Sequence, residues 1–137
     1  MCAAMQDAVP GEQPGWHQYV IERATDRIIV GDIGVNFGGP GERQAEIGYS
    51  LHPDFWGQGF ASEALASLLT HLFDDHRIHR IVAVTGIDNT RSRALLARLG
   101  FRHEGTFVES FCEFGTQRWV DDAGYALLAR EWGARAG

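Results

Sequence analysis

The stretch HPDFWGQGFASEALASLLTHLF, residues 52–73, passes from a glycine-punctuated loop into a helix, and its reading decides the fold. Apolar side chains recur at Ala61, Ala64, Leu65, Leu68, Leu69, Leu72 and Phe73. That i, i+3, i+4, i+7 stripe predicts an amphipathic helix over residues 61–76. Upstream, Gln44–Leu51 reads as a strand. Downstream, Arg80–Thr85 contains IVAV, an unbroken apolar run suited to a strand covered on both faces. Strand, helix and buried strand in that order predict a right-handed crossover between parallel strands.

Further from this segment, Gln18–Glu22 and Ile28–Phe37 read as strands, with turns at Ala24–Arg27 and Gly38–Gly41. A second helix is predicted from Thr90 to Leu99, capped by Asn89 or Thr90 and stopped by Gly100. Two late strands are predicted near Thr106–Glu113 and Trp119–Leu128. Residues 1–15, with Pro10, Gly11, Pro14 and Gly15, read as a disordered or loop-like N-terminus. Residues 16–137 then form one domain. The expected order β-β-β-α-β-α-β-β describes an α+β fold with a mixed sheet and flanking helices.

Composition narrows the function. The chain has 137 residues, 45% of them hydrophobic, and no apolar run approaching the ~18 residues of a membrane span. Its opening residues lack the basic and apolar regions of a secretory signal. Net charge is -6, which repels phosphate backbones and argues against nucleic-acid binding. Every basic residue other than histidine is Arg, and Lys is absent. Cys2 and Cys112 are too few for a disulfide framework, so a reducing cytoplasm is expected, with Cys112 as a small apolar filler. None of the six histidines has a metal-site spacing, and no metal is expected. His76, Arg77 and His79 suit the negative end of the first helix. Trp119, Tyr125, Leu127 and Trp132 read as core or interface residues.

The glycines of the opening segment admit two readings. Gly57 and Gly59 sit between a strand and a helix start, where the backbone can approach a ligand closely. The first helical N–H groups have no intrahelical partner and face the positive end of the helix dipole. Together they suit a pyrophosphate without any side-chain charge. The other reading is a tight turn that only needs glycine. No GxxxxGK[ST] and no GxGxxG at the head of a βαβ unit is present.

The residues EIGYSLHPDFWGQGFASEAL (46–65) and DNTRSRALLARLGF (88–101) together resemble the GCN5-related N-acetyltransferase (GNAT) family. The likeness is narrower toward its RimJ/RimL-type branch, which acetylates protein N-terminal amines. It covers roughly Trp16 to Trp132. The resemblance implies that the acyl-CoA signature falls on Trp56-Gly57-Gln58-Gly59-Phe60-Ala61, with Trp56 in place of Gln or Arg. Backbone N–H groups of Gln58 to Ser62 would hold the pyrophosphate of acetyl-CoA. Main-chain groups near Tyr49, Ser50 and Leu51 would bond the pantetheine arm, and Asn89 would hydrogen-bond the cofactor. Phe55 and Trp56 would lie partly exposed near it. The tyrosine that many members use as acid falls on Leu96, so Ser92 would take that role. The family's usual first strand and two helices before the meander are missing or shortened here, which bears on acceptor binding.

The implied reaction is transfer of acetyl from acetyl-CoA to a primary amine in a ternary complex. A protein or peptide α-amine is the expected acceptor. A small amine (polyamine, amino acid or aminoglycoside) and a non-catalytic CoA-binding module are the alternatives. The attacking amine must be neutral, although an α-amine has a pKa near 8 and a lysine amine near 10.4, so a base or water path is needed. Glu46, opposite in face to Ile47, Tyr49 and Leu51, and Glu113, at the end of the strand 106–113, are the two candidates. Glu46 has an alternative as a partner to a cross-strand Arg, Asn89 as a cap, and Ser92 as an ordinary solvent-facing residue. Edge strands and exposed aromatics make a homodimer an expectation.

Overall fold

The computed structural model describes residues 3–7 and 16–136. Cys2, Pro10, Gly11, Pro14 and Gly15 lie outside the described residues. The chain divides into two compact units, Met1–His79 and Arg80–Gly137. No described helix is long and apolar enough to cross a membrane.

In the first unit, β1 (Ala3–Asp7), β2 (Trp16–Arg23), β3 (Ile29–Gly38) and β4 (Gln44–Leu51) form an antiparallel sheet in that order. Alternation sets the inner face: Ile33, Val35, Ala45 and Ile47 are buried, while Asp32 is exposed and Glu46 half-buried. β1 corrects the expectation of loop for residues 3–7. Its AAMQD carries no periodic signal, and it is a strand because β2 supplies its ladder, with Met5 opposite Ile21. The turn between β3 and β4 places Gly39 and Gly41 at φ 75° and 64°, a region open to glycine.

The helix α1 (Phe60–Asp74) packs on β1 and β2. It buries Phe60, Ala64, Leu65, Leu68, Leu69, Leu72 and Phe73. The stripe read from sequence is therefore its core face, except that Phe60 is buried and Ala61 only half-buried. Each fully buried leucine contributes about 2 kcal/mol of apolar transfer. At the C-terminal end His71 Nδ1 meets Asp75 Oδ2 at 2.7 Å, and its Nε2 meets His76 Nε2 at 3.1 Å.

In the second unit, β5 (Arg80–Gly86), β7 (Trp119–Leu128) and β6 (Arg102–Cys112) form an antiparallel sheet in the order β5-β7-β6. The expectation that β5 is covered on both faces is corrected. Ile81 and Ala83 are buried, but Val84 between β5's inward positions is 40% exposed. The helix α2 (Thr90–Arg98) begins at Asn89, whose Oδ1 accepts from the Ser92 N–H at 3.1 Å. It ends as predicted at Gly100, with φ 97°. Phe101 N–H bonds Leu96 O and Gly100 N–H bonds Ala97 O, which satisfies the last carbonyls.

The strand β6 begins earlier than Thr106 and bulges between Phe107 and Phe111. Glu109 takes φ 48° there, and its N–H is held by Asp121 Oδ1 at 2.7 Å. As the outer strand of its sheet β6 exposes Phe107, Val108 and Phe111. Cys112 is exposed, not a filler, and Trp119 is exposed as well, because both lie at the turn end of the β6–β7 hairpin. Tyr125, Leu127 and Trp132 are buried as expected. A final helix α3 (Ala129–Ala136), absent from the sequence reading, starts where Glu131 Oε1 accepts from Leu128 N–H at 2.9 Å.

Candidate functional site

The turn from β4 to α1 is built by local contacts. After Leu51, His52–Phe55 makes one 3-10 turn, with His52 Nδ1 accepting from Asp54 N–H at 3.2 Å. Trp56 then folds back, and its indole N–H donates to Leu51 O at 2.9 Å. This explains Trp56 physically: it ties the loop to the strand end. The Leu51 carbonyl, expected to face the pantetheine arm, already holds this bond. Gln58 Nε2 donates to Asp54 O at 3.1 Å, which closes the loop from the other side.

Gly57 and Gly59 have φ 77° and 83°. A Cβ at either would meet nothing within 4 Å, so the glycines answer to backbone conformation and not to crowding by the protein itself. Gly59 is the N-cap of α1 and supplies no side-chain cap. The first-turn N–H groups of Phe60, Ala61 and Ser62 therefore have no capping side chain, at the end where the helix dipole favours an anion. Tyr49 and Leu51 are half-buried, and exposed Ser50 donates its hydroxyl to Asp32 Oδ1 at 2.7 Å. Glu46 stands opposite Asn36 on β3.

The second unit carries a cavity of about 380 Å³. Its walls are the end of β5 with the following turn (Val84–Asn89), Phe111 and Glu113, and Val120–Asp122 of β7. Asn89 and Glu113, far apart in sequence, thus line one space. Ser92, half-buried on α2, does not line it, and Leu96, at the family's tyrosine position, is fully buried. Glu113 is tied down: Thr116 Oγ1 donates to it at 2.9 Å, and Arg118 lies at 3.3 Å. The Thr116 hydroxyl, then the Arg118 guanidinium, hold its carboxyl below the usual carboxylate range.

Sequence reasoning missed Asp121, Asp122 and Phe111 of this cavity. The adjacent carboxylates in WVDDAGY were a readable signal, since charge is unusual within a strand. It also missed Arg93. This half-buried residue donates from Nε to Tyr125 Oη at 2.9 Å and from Nη1 to Ile87 O at 3.0 Å.

The comparisons with known proteins bear on the whole arrangement. Residues 3–102 match the family profile described as "Acetyltransferase (GNAT) domain". The chain is 36% identical over 96 residues to the uncharacterized N-acetyltransferase YoaA of Bacillus subtilis, covering 70% of this chain and 54% of that protein. It is 36% identical over 100 residues to the ribosomal-protein-serine acetyltransferase of Escherichia coli, covering 73% of this chain and 55% of that one. A solved acetyltransferase of the GNAT family from Bacillus anthracis superposes with a TM-score of 0.75 at 31% identity, covering 83% of this chain and 67% of the other. The chain spans about half the length of the curated relatives it matches first. With an α+β element order, a glycine turn at the head of α1 and a profile match over most of its length, the chain belongs to the GNAT acetyltransferase domain family.

Proposed function

We propose that this protein is an acetyl-CoA-dependent N-acetyltransferase acting on a protein or peptide α-amine in the cytoplasm. The observation that carries the reading is the N-terminus of α1, built on two left-handed glycines and without a side-chain cap, in a chain of this family. The backbone from Gln58 to Ser62 would bind the pyrophosphate of acetyl-CoA, and Asn89 would add a side-chain hydrogen bond. The name of the Escherichia coli relative supports a protein acceptor.

The thioester supplies an activated acetyl group, and the protein must manage the protons. Glu46 would take the proton from the acceptor ammonium, and the freed nitrogen lone pair adds to the thioester carbonyl. The resulting oxyanion needs backbone N–H donors, which the end of β4 would offer. As the C–S bond breaks, Ser92 would give the departing sulfur a proton and regain one from the nitrogen, which sheds its second proton on becoming the amide. Glu113 is assigned a different role. Its lowered pKa makes it a weak base but a constant negative charge on the cavity wall, suited to holding the ammonium form of the acceptor.

Calorimetric titration with acetyl-CoA, with ATP and NAD as controls, tests the cofactor half. Selective binding supports the reading, and equal or no binding means the turn is structural only. An acceptor panel tests the other half, and turnover of free small amines without peptide turnover overturns the α-amine assignment. Glu46→Gln is expected to lower kcat about a hundredfold. Glu113→Gln is expected to raise KM for the amine while leaving kcat near wild type. If both variants keep full kcat between about pH 6 and 9, neither is the base.

A further inference from the structure

We infer that Arg93 is a positioning residue for acetyl-CoA: it acts through the backbone of Ile87 to fix the turn that presents Asn89. The inference rests on the cofactor reading above. The segment from Gly86 to Thr90 joins β5 to α2 and forms one wall of the cavity. Asp88 and Asn89 are exposed on it, so neither is held by burial.

Both peptide groups of Ile87 are nevertheless held. Its N–H donates to Asp121 O on β7 at 3.0 Å, and its carbonyl accepts from Arg93 Nη1 at 3.0 Å. The guanidinium is itself oriented, because its Nε donates to the hydroxyl of Tyr125 at 2.9 Å. Tyr125 is buried on β7 and stacks on His103, with ring centroids 5.1 Å apart. A further bond from Asn89 N–H to Gly86 O at 2.9 Å closes the turn. A rigid planar fork on a fixed phenol thus sets where the Ile87 carbonyl sits, and with it the two exposed residues that follow.

Arg is suited to this task because one planar group reaches two acceptors in fixed geometry, which Lys cannot do. Arg93 is not among the residues that line the cavity, so losing it should weaken cofactor binding and spare the chemical step.

Four proteins test this: wild type, Tyr125→Phe, Arg93→Lys and Arg93→Gln. Calorimetric Kd for acetyl-CoA and steady-state kcat and KM are measured on each, with thermal melting alongside. Arg93→Gln is expected to raise Kd and KM for acetyl-CoA about tenfold with kcat within about twofold. Arg93→Lys should recover part of that loss, and Tyr125→Phe, which leaves the Ile87 bond possible, should lose least. Kd unchanged in Arg93→Gln while wild type binds overturns the inference alone. So does a Kd that follows melting temperature across the series, with Lys no better than Gln. A wild type that does not bind acetyl-CoA overturns the cofactor reading and this inference with it.

Discussion

At the scale of single residues, the backbone conformation of Gly59 separates protein strain from ligand contact. A Cβ there would meet no protein atom, so Gly59→Ala suffers only the left-handed penalty of about 1 kcal/mol, or about 4 °C in Tm. If a pyrophosphate lies against this backbone, the same methyl group meets the ligand, and KM for acetyl-CoA should rise about tenfold, equal to 1.4 kcal/mol. A variant that loses Tm but keeps KM would remove the turn from the binding site. Glu104 offers a residue-scale test of pH dependence. Arg80, then Arg102, hold its carboxyl down to about 2. A carboxyl with a depressed folded pKa stabilises the fold above its unfolded value near 4.3 and loses that contribution as pH falls toward the folded value. The stability gap between wild type and Glu104→Gln should therefore be full above about pH 5 and shrink steadily between about pH 4.5 and 2. Urea midpoints at several pH values read it directly, and a gap that does not vary with pH would mean the ion pairs are solvated out. The two partly exposed pairs are screened, so added salt should narrow the gap at neutral pH.

At the scale of elements, α2 shows how one side chain can carry two jobs. Asn89 caps the helix through Oδ1, and its amide N–H is free of that bond, so the cap and the proposed cofactor contact use different atoms. Asp caps as well as Asn but lacks the amide donor and adds a negative charge. Asn89→Asp should keep its Tm and weaken acetyl-CoA binding, whereas Asn89→Ala should lose about 1 kcal/mol of stability as well. If Asn89→Asp matches wild type in both, the residue is only a cap. The helices α1 and α2 were readable because their signals are local. Seven buried positions follow the 3.6-residue stripe of α1 almost to the residue, and Asn89 and Gly100 bracket α2 by cap chemistry. The strands were less readable for a matching reason. β1 owes its existence to a partner strand, and the bulge of β6 is held by the bond that Glu109 N–H donates to Asp121, neither of which leaves a pattern in its own segment. Likewise the glycine turn was visible as a motif, while the Trp56–Leu51 tie, the cavity and the Arg93 clamp exist only once distant segments meet.

At the scale of the whole molecule, the choice of cations has a chemical consequence for the proposed acetyl transfer. The chain carries 12 basic residues, all of them Arg, and no Lys. A guanidinium stays protonated at working pH and offers no free lone pair to a thioester, whereas a lysine amine does so in proportion to its neutral fraction. These 137 residues therefore present no side-chain amine. Incubation with excess acetyl-CoA should add no amide-linked acetyl group to any side chain of these residues, as tandem mass spectrometry reads directly. Acid-stable, hydroxylamine-resistant acetylation at any internal position would contradict this. The same property makes the acceptor assay clean, since label that enters a lysine-containing or α-amino substrate cannot be confused with side-chain labelling of the protein itself. With a net charge of -6 the protein should also attract cationic acceptors at long range. KM for a basic peptide is accordingly expected to rise with ionic strength, while KM for a neutral peptide of equal length stays level. Equal salt dependence for both peptides would assign recognition to local contacts alone.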